Sequence, residues 1–262
     1  MSTSTMGQGK QRETSLAGEE PVRRDSDAEV ETTLQIFYTT ERAGAAGLSD
    51  GGGPFGFDVT VALLVNDLLA AYRCDAIVET GCYLGDTTTY LARRYPALPV
   101  HTCDVVAEHV AFTRQRMALA GVGNVQVEYL DSPALVRRVD AAYRRPLYFL
   151  DAHWEQRWPL AQELAAIRHG VVLIDDFDIG HPRFAFDTYD GLACGPHLLA
   201  RLQRVPSHYF TPSPDADWPL PCLQVGRRAG VGILPIGVDS APLENHPHLL
   251  TRPVSAEKAT TP

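Results

Sequence analysis

The chain has 262 residues, of which 45% are hydrophobic and 21% charged, and its 32 acidic and 23 basic side chains leave a formal net charge of −9. This is an ordinary globular composition, long enough for one sizeable core with tails or insertions. An acidic surface repels phosphate backbones, which argues against a nucleic-acid partner, and no apolar run reaches the ~20 residues of a membrane span.

The N-terminal stretch is polar, of mixed charge and without an apolar signal-like region. The cysteines Cys74, Cys82, Cys103, Cys194 and Cys222 form no C-x-x-C pair. Both features lead to the expectation of a reduced, cytoplasmic protein.

Residues 1–30 are expected to form a disordered tail, because they lack apolar periodicity. Residues 31–57 make an N-terminal segment in which 34–39 forms a short helix or strand and the glycine-rich 41–56 forms a lid. The main domain is expected over 58–241. There the pattern switches repeatedly between helical and strand periods. Helices are predicted over 58–72 (capped by Asp58), 87–95, 107–120 (stopped by Gly121), 133–143 and 159–168 (stopped at Gly170). Strands are predicted over 76–79, 100–104, 125–129, 147–150 and 171–174, and the later part reads as a helix over 198–204 and strands over 208–211 and 231–235. The end, 242–262, is rich in Pro, Thr and charge and reads as a flexible tail. Continuous apolar strands alternating with helices predict an α/β fold: a Rossmann-like, doubly wound, mostly parallel sheet with helices on both faces.

Each of the five predicted parallel strands ends at or near an acid: Glu79, Asp104, Asp131, Asp151 and Asp175. In such sheets ligands bind at the carboxyl ends of the strands, where the strand order reverses. The first turn reads Glu79-Thr80-Gly81-Cys82-Tyr83-Leu84-Gly85-Asp86-Thr87. Gly81 and Gly85 permit a tight turn and close backbone approach, and the following helix points free N–H groups at a ligand. Asp104, 25 residues after Glu79 and at the end of the next strand, stands where a carboxylate takes ribose hydroxyls. Tyr83 replaces the middle glycine of a dinucleotide-binding turn, so a pyrophosphate has no obvious cradle.

These residues resemble the class I S-adenosylmethionine-dependent methyltransferases. The likeness runs through 58–177, with Glu79 to Gly85 similar to their first motif and Asp104 to their ribose acid. It implies S-adenosylmethionine held by Glu79, Gly81, Tyr83, Gly85, Thr87 and Asp104, with Asp131 and Ser132 near the adenine. Leu150-Asp151-Ala152-His153-Trp154 and Leu173-Ile174-Asp175-Asp176-Phe177 resemble a narrower group, the O-methyltransferases of natural-product pathways, either macrocin-type sugar enzymes or FkbM-like ones. Several members of that group bind a divalent metal, which implies Mg²⁺ or Mn²⁺ on Asp151, Asp175 and Asp176.

Acids ending strands about 4.8 Å apart can indeed converge on one cation, and an all-oxygen set suits Mg²⁺ or Mn²⁺ rather than zinc. The bland alternative is that Asp175 and Asp176 cap a turn and Asp151 orients substrate without metal. His153 is placed by its sequence position to be a general base, with Asp151 beside it in the catalytic role. The expected function is therefore O-methylation of a small-molecule acceptor, with neither nucleic acid nor membrane as partner and with a homo-oligomer expected from the resemblance. A nicotinamide oxidoreductase, a non-catalytic nucleoside-binding module and a metal hydrolase are the competing classes. The last lacks the His-rich spacing of zinc sites.

Overall fold

The short apolar runs become strands because neither face of the sheet they form meets water. In the computed structural model, which describes residues 25–43, 52–152, 158–214 and 229–254, β1 (Ala76–Thr80), β4 (Pro146–Leu150) and β5 (Gly170–Ile174) are buried at every position. Successive side chains go to opposite faces. Ile77, Phe149 and Leu173 join one apolar cluster, and Val78, Tyr148, Leu150 and Ile174 join another. The first cluster receives α1 (Asp25–Thr39), α2 (Val59–Tyr72) and α3 (Asp86–Arg94). The second receives α5 (Ser132–Ala142), α6 (Leu160–Ala166) and α7 (Pro196–Leu199). Between α3 and α5 in the chain, α4 (Ala107–Ala120) lays Val110 and Met117 against Val127.

The remaining strands are β2 (Val100–Asp104), β3 (Val125–Tyr129), the short pair β6 (Thr188–Tyr189) and β7 (Leu192–Ala193), then β8 (His208–Pro212), β9 (Gly232–Ile236) and β10 (Leu249–Pro253). The eight-stranded sheet has the order β10-β8-β9-β5-β4-β1-β2-β3. Its β3-β2-β1-β4-β5 portion is parallel, and β9 adds antiparallel to β5. The chain winds outward from β1 to β3, then returns to place β4 on the other side of β1. That reversal between β1 and β4 is the switch point at which such sheets open a crevice. The fold is the doubly wound, mostly parallel α/β class anticipated from the sequence.

Several elements differ from expectation. Helix α1 starts at Asp25, inside the stretch read as tail; its fully buried residues are Thr33 and Phe37, with Thr40 buried just past its end. A helical face whose fully buried residues are one threonine and one phenylalanine carries little apolar signal. Helix α6 ends at Ala166 rather than 168, because the Asp140 carboxylate accepts the Arg168 and His169 N–H groups and draws the chain out of the helix. Gly170 opens β5 instead of stopping the helix. Beyond β5, α7 is shorter than the predicted 198–204 helix. At the C-terminal end α8 (Ala241–Glu244) and β10 lie within the stretch read as tail, and β10 pairs with β8 from Leu249↔Pro212 to Pro253↔His208. Its proline sits at the strand's end on a sheet edge, where a missing N–H is tolerated. No described helix is long and apolar enough to cross a membrane.

Candidate functional site

The turn after β1 is shaped by two glycines that no other residue could replace cheaply. Gly81 has φ +82, and a Cβ there would stand 2.8 Å from the Asp151 carbonyl oxygen. Gly85 caps α3 at φ +75, where a Cβ would meet Thr113 of α4 at 2.8 Å. Between them Tyr83 is held at φ 42 and is 55% exposed. A non-glycine residue there costs of order 1–3 kcal/mol and persists only where its surroundings enforce it. Here Asp104 Oδ2 accepts the Tyr83 N–H at 3.0 Å, and the Tyr83 carbonyl accepts from Thr113 Oγ1 at 3.0 Å.

Asp104 is thereby tied to the turn it faces. Its Oδ1 accepts the Val106 N–H at 2.9 Å, and His109 Nδ1 stands 3.3 Å from Oδ2. A carboxylate offers about four lone-pair positions, so an acceptor position on Asp104 remains for a ligand hydroxyl. Val105, the next residue, is 66% exposed and presents an apolar surface beside that carboxylate. The His109 ring meets the Tyr83 ring edge-on at 4.9 Å, forming a second wall.

Glu79 lies deeper, 2% exposed, and accepts a short hydrogen bond from Thr88 Oγ1 of α3. Burial raises its carboxyl from the ordinary 4.5 to about 7, against the lowering effect of the hydrogen bond from Thr88 and with further raising from Asp104 and Asp86. Thr87 is the expected nucleoside contact whose side chain serves another partner: its Oγ1 accepts the Phe55 N–H at 3.0 Å. Asp131 is exposed and starts α5 through its carbonyl, which accepts from Ala134 and Leu135; its side chain makes no capping bond. Ser132 beside it is buried.

The β4–β5 side of the same edge is different in kind. The Asp151 N–H is fixed by both the backbone and the side-chain oxygen of Thr80, at 3.2 and 3.1 Å. Asp175 donates its N–H to Leu150 O at 3.0 Å, which holds the ends of β4 and β5 in register. Asp176, at φ 49, turns the chain away and accepts the Asp187 N–H. As a result Asp151, Asp175 and Asp176 each bring a carboxylate oxygen within 4.8 Å of the others. Burial, then the charges of Asp175, Asp176, Glu79 and Asp187, push the Asp151 carboxyl well above the usual range. The donor set is all oxygen, which fits a hard divalent cation.

His153 and Trp154 lie outside the described residues. Trp158 packs partly buried against the α5–α7 cluster and faces Tyr189 at 6.1 Å between ring centroids. Glu163, expected from the sequence to face solvent or to pair locally, is 1% exposed in the first turn of α6. Thr80, Thr88, Thr113, Val105 and His109 went unmarked in the sequence, since threonines and a lone histidine carry no motif. Only their spacing from Glu79 and Asp104 could have pointed to them. A concavity of 530 Å³ lies between Pro96 and the Gly121–Asn124 loop, at the amino ends of the strands and away from these acids. Arg93 is its one charged lining residue.

No protein-family model and no curated protein matches the sequence. Among solved structures, the chain is similar to a cofactor-bound protein from MTB at 17% identity and TM-score 0.48, over 86% of this chain and 94% of that one. It is also similar to a protein assigned as an O-methyltransferase from Klebsiella pneumoniae, at 18% identity and TM-score 0.44, over 84% and 92% of the two chains. An rRNA methylase from Streptococcus thermophilus is similar at 16% identity and TM-score 0.42, over 66% of this chain and 96% of its own.

Proposed function

We propose that this chain is an S-adenosylmethionine-dependent methyltransferase acting on an oxygen of a small molecule, of the kind met in natural-product pathways, with a divalent cation assisting. The observation that carries the reading is Asp104, at the end of β2 beside the switch point, accepting the Tyr83 N–H of the glycine turn. That bond sets carboxylate and turn at one fixed separation, as recognition of a nucleoside's ribose requires. Val105 then offers the base an apolar face, and Glu79 offers a carboxylate for a cationic amino group, directly or through water.

When bound, S-adenosylmethionine supplies an electrophilic sulfonium methyl, so the residues need only hold, orient and deprotonate the acceptor. Asp151, Asp175 and Asp176 would hold Mg²⁺ or Mn²⁺, and a cation there would lower the pKa of an acceptor hydroxyl. His153 is the base assigned by its sequence position, two residues past Asp151. The reading of the second carboxylate group as natural-product O-methylation rests on the resemblance at 150–154 and 173–177.

Calorimetric titration with S-adenosylhomocysteine tests the nucleoside site. Micromolar-range binding is expected for the wild type. Asp104→Ala should weaken it by about 10- to 100-fold, since one hydrogen bond to a charged group contributes roughly 1.5–3 kcal/mol. Absence of binding to folded wild type would remove the methyltransferase reading.

A further inference from the structure

Asp86 and Arg116 touch none of the groups assigned above to nucleoside or acceptor, yet both side chains are nearly buried, at 11% and 9% exposure. Asp86 opens α3 directly after Gly85. Its Oδ1 accepts the Ala43 N–H at 3.0 Å and its Oδ2 accepts the Gly53 N–H at 2.8 Å. Arg116 reaches across from α4, pairs closely with Asp86 Oδ1, and donates to the Leu84 carbonyl at 2.6 Å and to the Glu41 carbonyl. One carboxylate and one guanidinium therefore bind residues 41–43, residue 53 and the nucleoside turn at once.

The next residue extends the tie. Thr87 Oγ1 holds the Phe55 N–H, and Phe55 is kept at φ 53 and ψ 43 with its ring 4% exposed. That ring meets Tyr90 of α3 and Phe149 of β4 edge-on, at 5.4 and 5.0 Å. Phe149 pairs in register with Glu79 and lies two residues before Asp151. A left-handed aromatic residue persists only where its surroundings hold it, and here those surroundings are the turn, α3 and the strand that carries Asp151.

We propose that the Asp86–Arg116 pair is a positioning device that couples the N-terminal segment, at 40–43 and 52–57, to the nucleoside turn, so that nucleoside binding and ordering of that segment reinforce each other. The proposal rests on the nucleoside site argued in the preceding subsection. A ligand that stiffens Tyr83 to Gly85 also stiffens Leu84 and Asp86, and through them the bonds to Glu41, Ala43 and Gly53. Linkage makes the effect reciprocal: a segment held in place lowers the ordering cost of ligand binding.

Hydrogen exchange on the full chain, with and without saturating S-adenosylhomocysteine, tests this. In the wild type, the ligand should slow exchange in peptides covering 40–43 and 52–57 as well as 80–88. Asp86→Asn should keep the slowing at 80–88, lose it at 40–43 and 52–57, and raise the dissociation constant about tenfold, within the range usual for coupled sites. Because breaking a buried pair strands one charge, Asp86→Asn combined with Arg116→Met removes both charges and should show the same selective loss with less destabilisation. Slowing confined to 80–88 in the wild type would overturn the coupling alone, as would variants that retain it at both places. Faster exchange everywhere in the double variant would also overturn it, marking a purely structural pair. No slowing anywhere and no binding heat in folded wild type would overturn the nucleoside site and the coupling together.

Discussion

Two halves of one sheet edge carry acids, and they arrange them differently. At the ends of β1 and β2 each carboxylate is met by donors: Asp104 by the Tyr83 and Val106 N–H groups, Glu79 by the Thr88 hydroxyl. At the ends of β4 and β5, three carboxylates bring oxygens within 4.8 Å of one another, and two of them are buried. At that separation two full negative charges repel by about 3 kcal/mol for an effective dielectric near 20. On the proposed reading, the first half binds hydroxyl and amino groups of a neutral or cationic ligand. The second half favours uptake of a proton or of a cation. On that reading, the same secondary structure yields a nucleoside-binding half and a cation-binding half.

The largest effect that would sharpen this contrast concerns the cation. Mg²⁺ or Mn²⁺ titrated into the wild type should bind and raise the melting temperature, with about 2.7 kcal/mol of stabilisation at a hundredfold excess over the dissociation constant. Asp175→Asn should weaken that binding by more than the ~10- to 100-fold typical of losing an outer partner of a metal site. A melting curve of the wild type indifferent to both cations would erase the distinction between the two halves.

A smaller effect concerns Glu79, whose carboxyl rises from 4.5 to about 7 chiefly through burial. A raised acid binds its proton more tightly folded than unfolded. Its contribution to stability is therefore full below pH 4.5 and is lost as pH rises through about 7. Glu79→Gln, which stays neutral, should gain about 2 kcal/mol relative to wild type at pH 8, after discounting a weakened hydrogen bond. Near pH 4 the gain should vanish. Denaturant melts at the two pH values measure this, and an equal difference at both would mean that the Glu79 carboxyl titrates alike in the folded and unfolded chain.

The smallest concerns Thr87. Thr87→Ala should lower stability by about 1 kcal/mol through the lost bond to Phe55, while nucleoside affinity shifts by less than about threefold. A large loss of affinity at unchanged stability would return Thr87 to the ligand-binding half of the edge.

The strands and their acidic ends were legible because a fully buried strand must be continuously apolar and a charged residue must end it. The end of β2 follows from Asp104, β3 from its apolar–polar alternation, α4 from glycine at the helix stop and the start of α2 from its Asp58 cap. The convergence of Asp151, Asp175 and Asp176 was also legible, since neighbouring strand ends lie one hydrogen-bonding step apart. The directions of side chains were not. Thr87 and Thr88 are adjacent in sequence, yet one faces the N-terminal segment and the other Glu79. A helical turn of 100° per residue sends neighbours to different partners, and only the packing decides which.

The sequence by itself determined the parallel α/β core, the glycine turn at Gly81 and Gly85, and the row of acids on one edge, because periodicity and backbone freedom are local properties. The tertiary structure alone decided that α1 begins at Asp25, that β10 leaves the presumed tail to pair with β8, and that Asp86 and Arg116 bind residues more than thirty positions away. Those features rest on polar stripes, edge pairing and long-range charge contacts. Their stabilisation comes from partners that no local window of the chain contains.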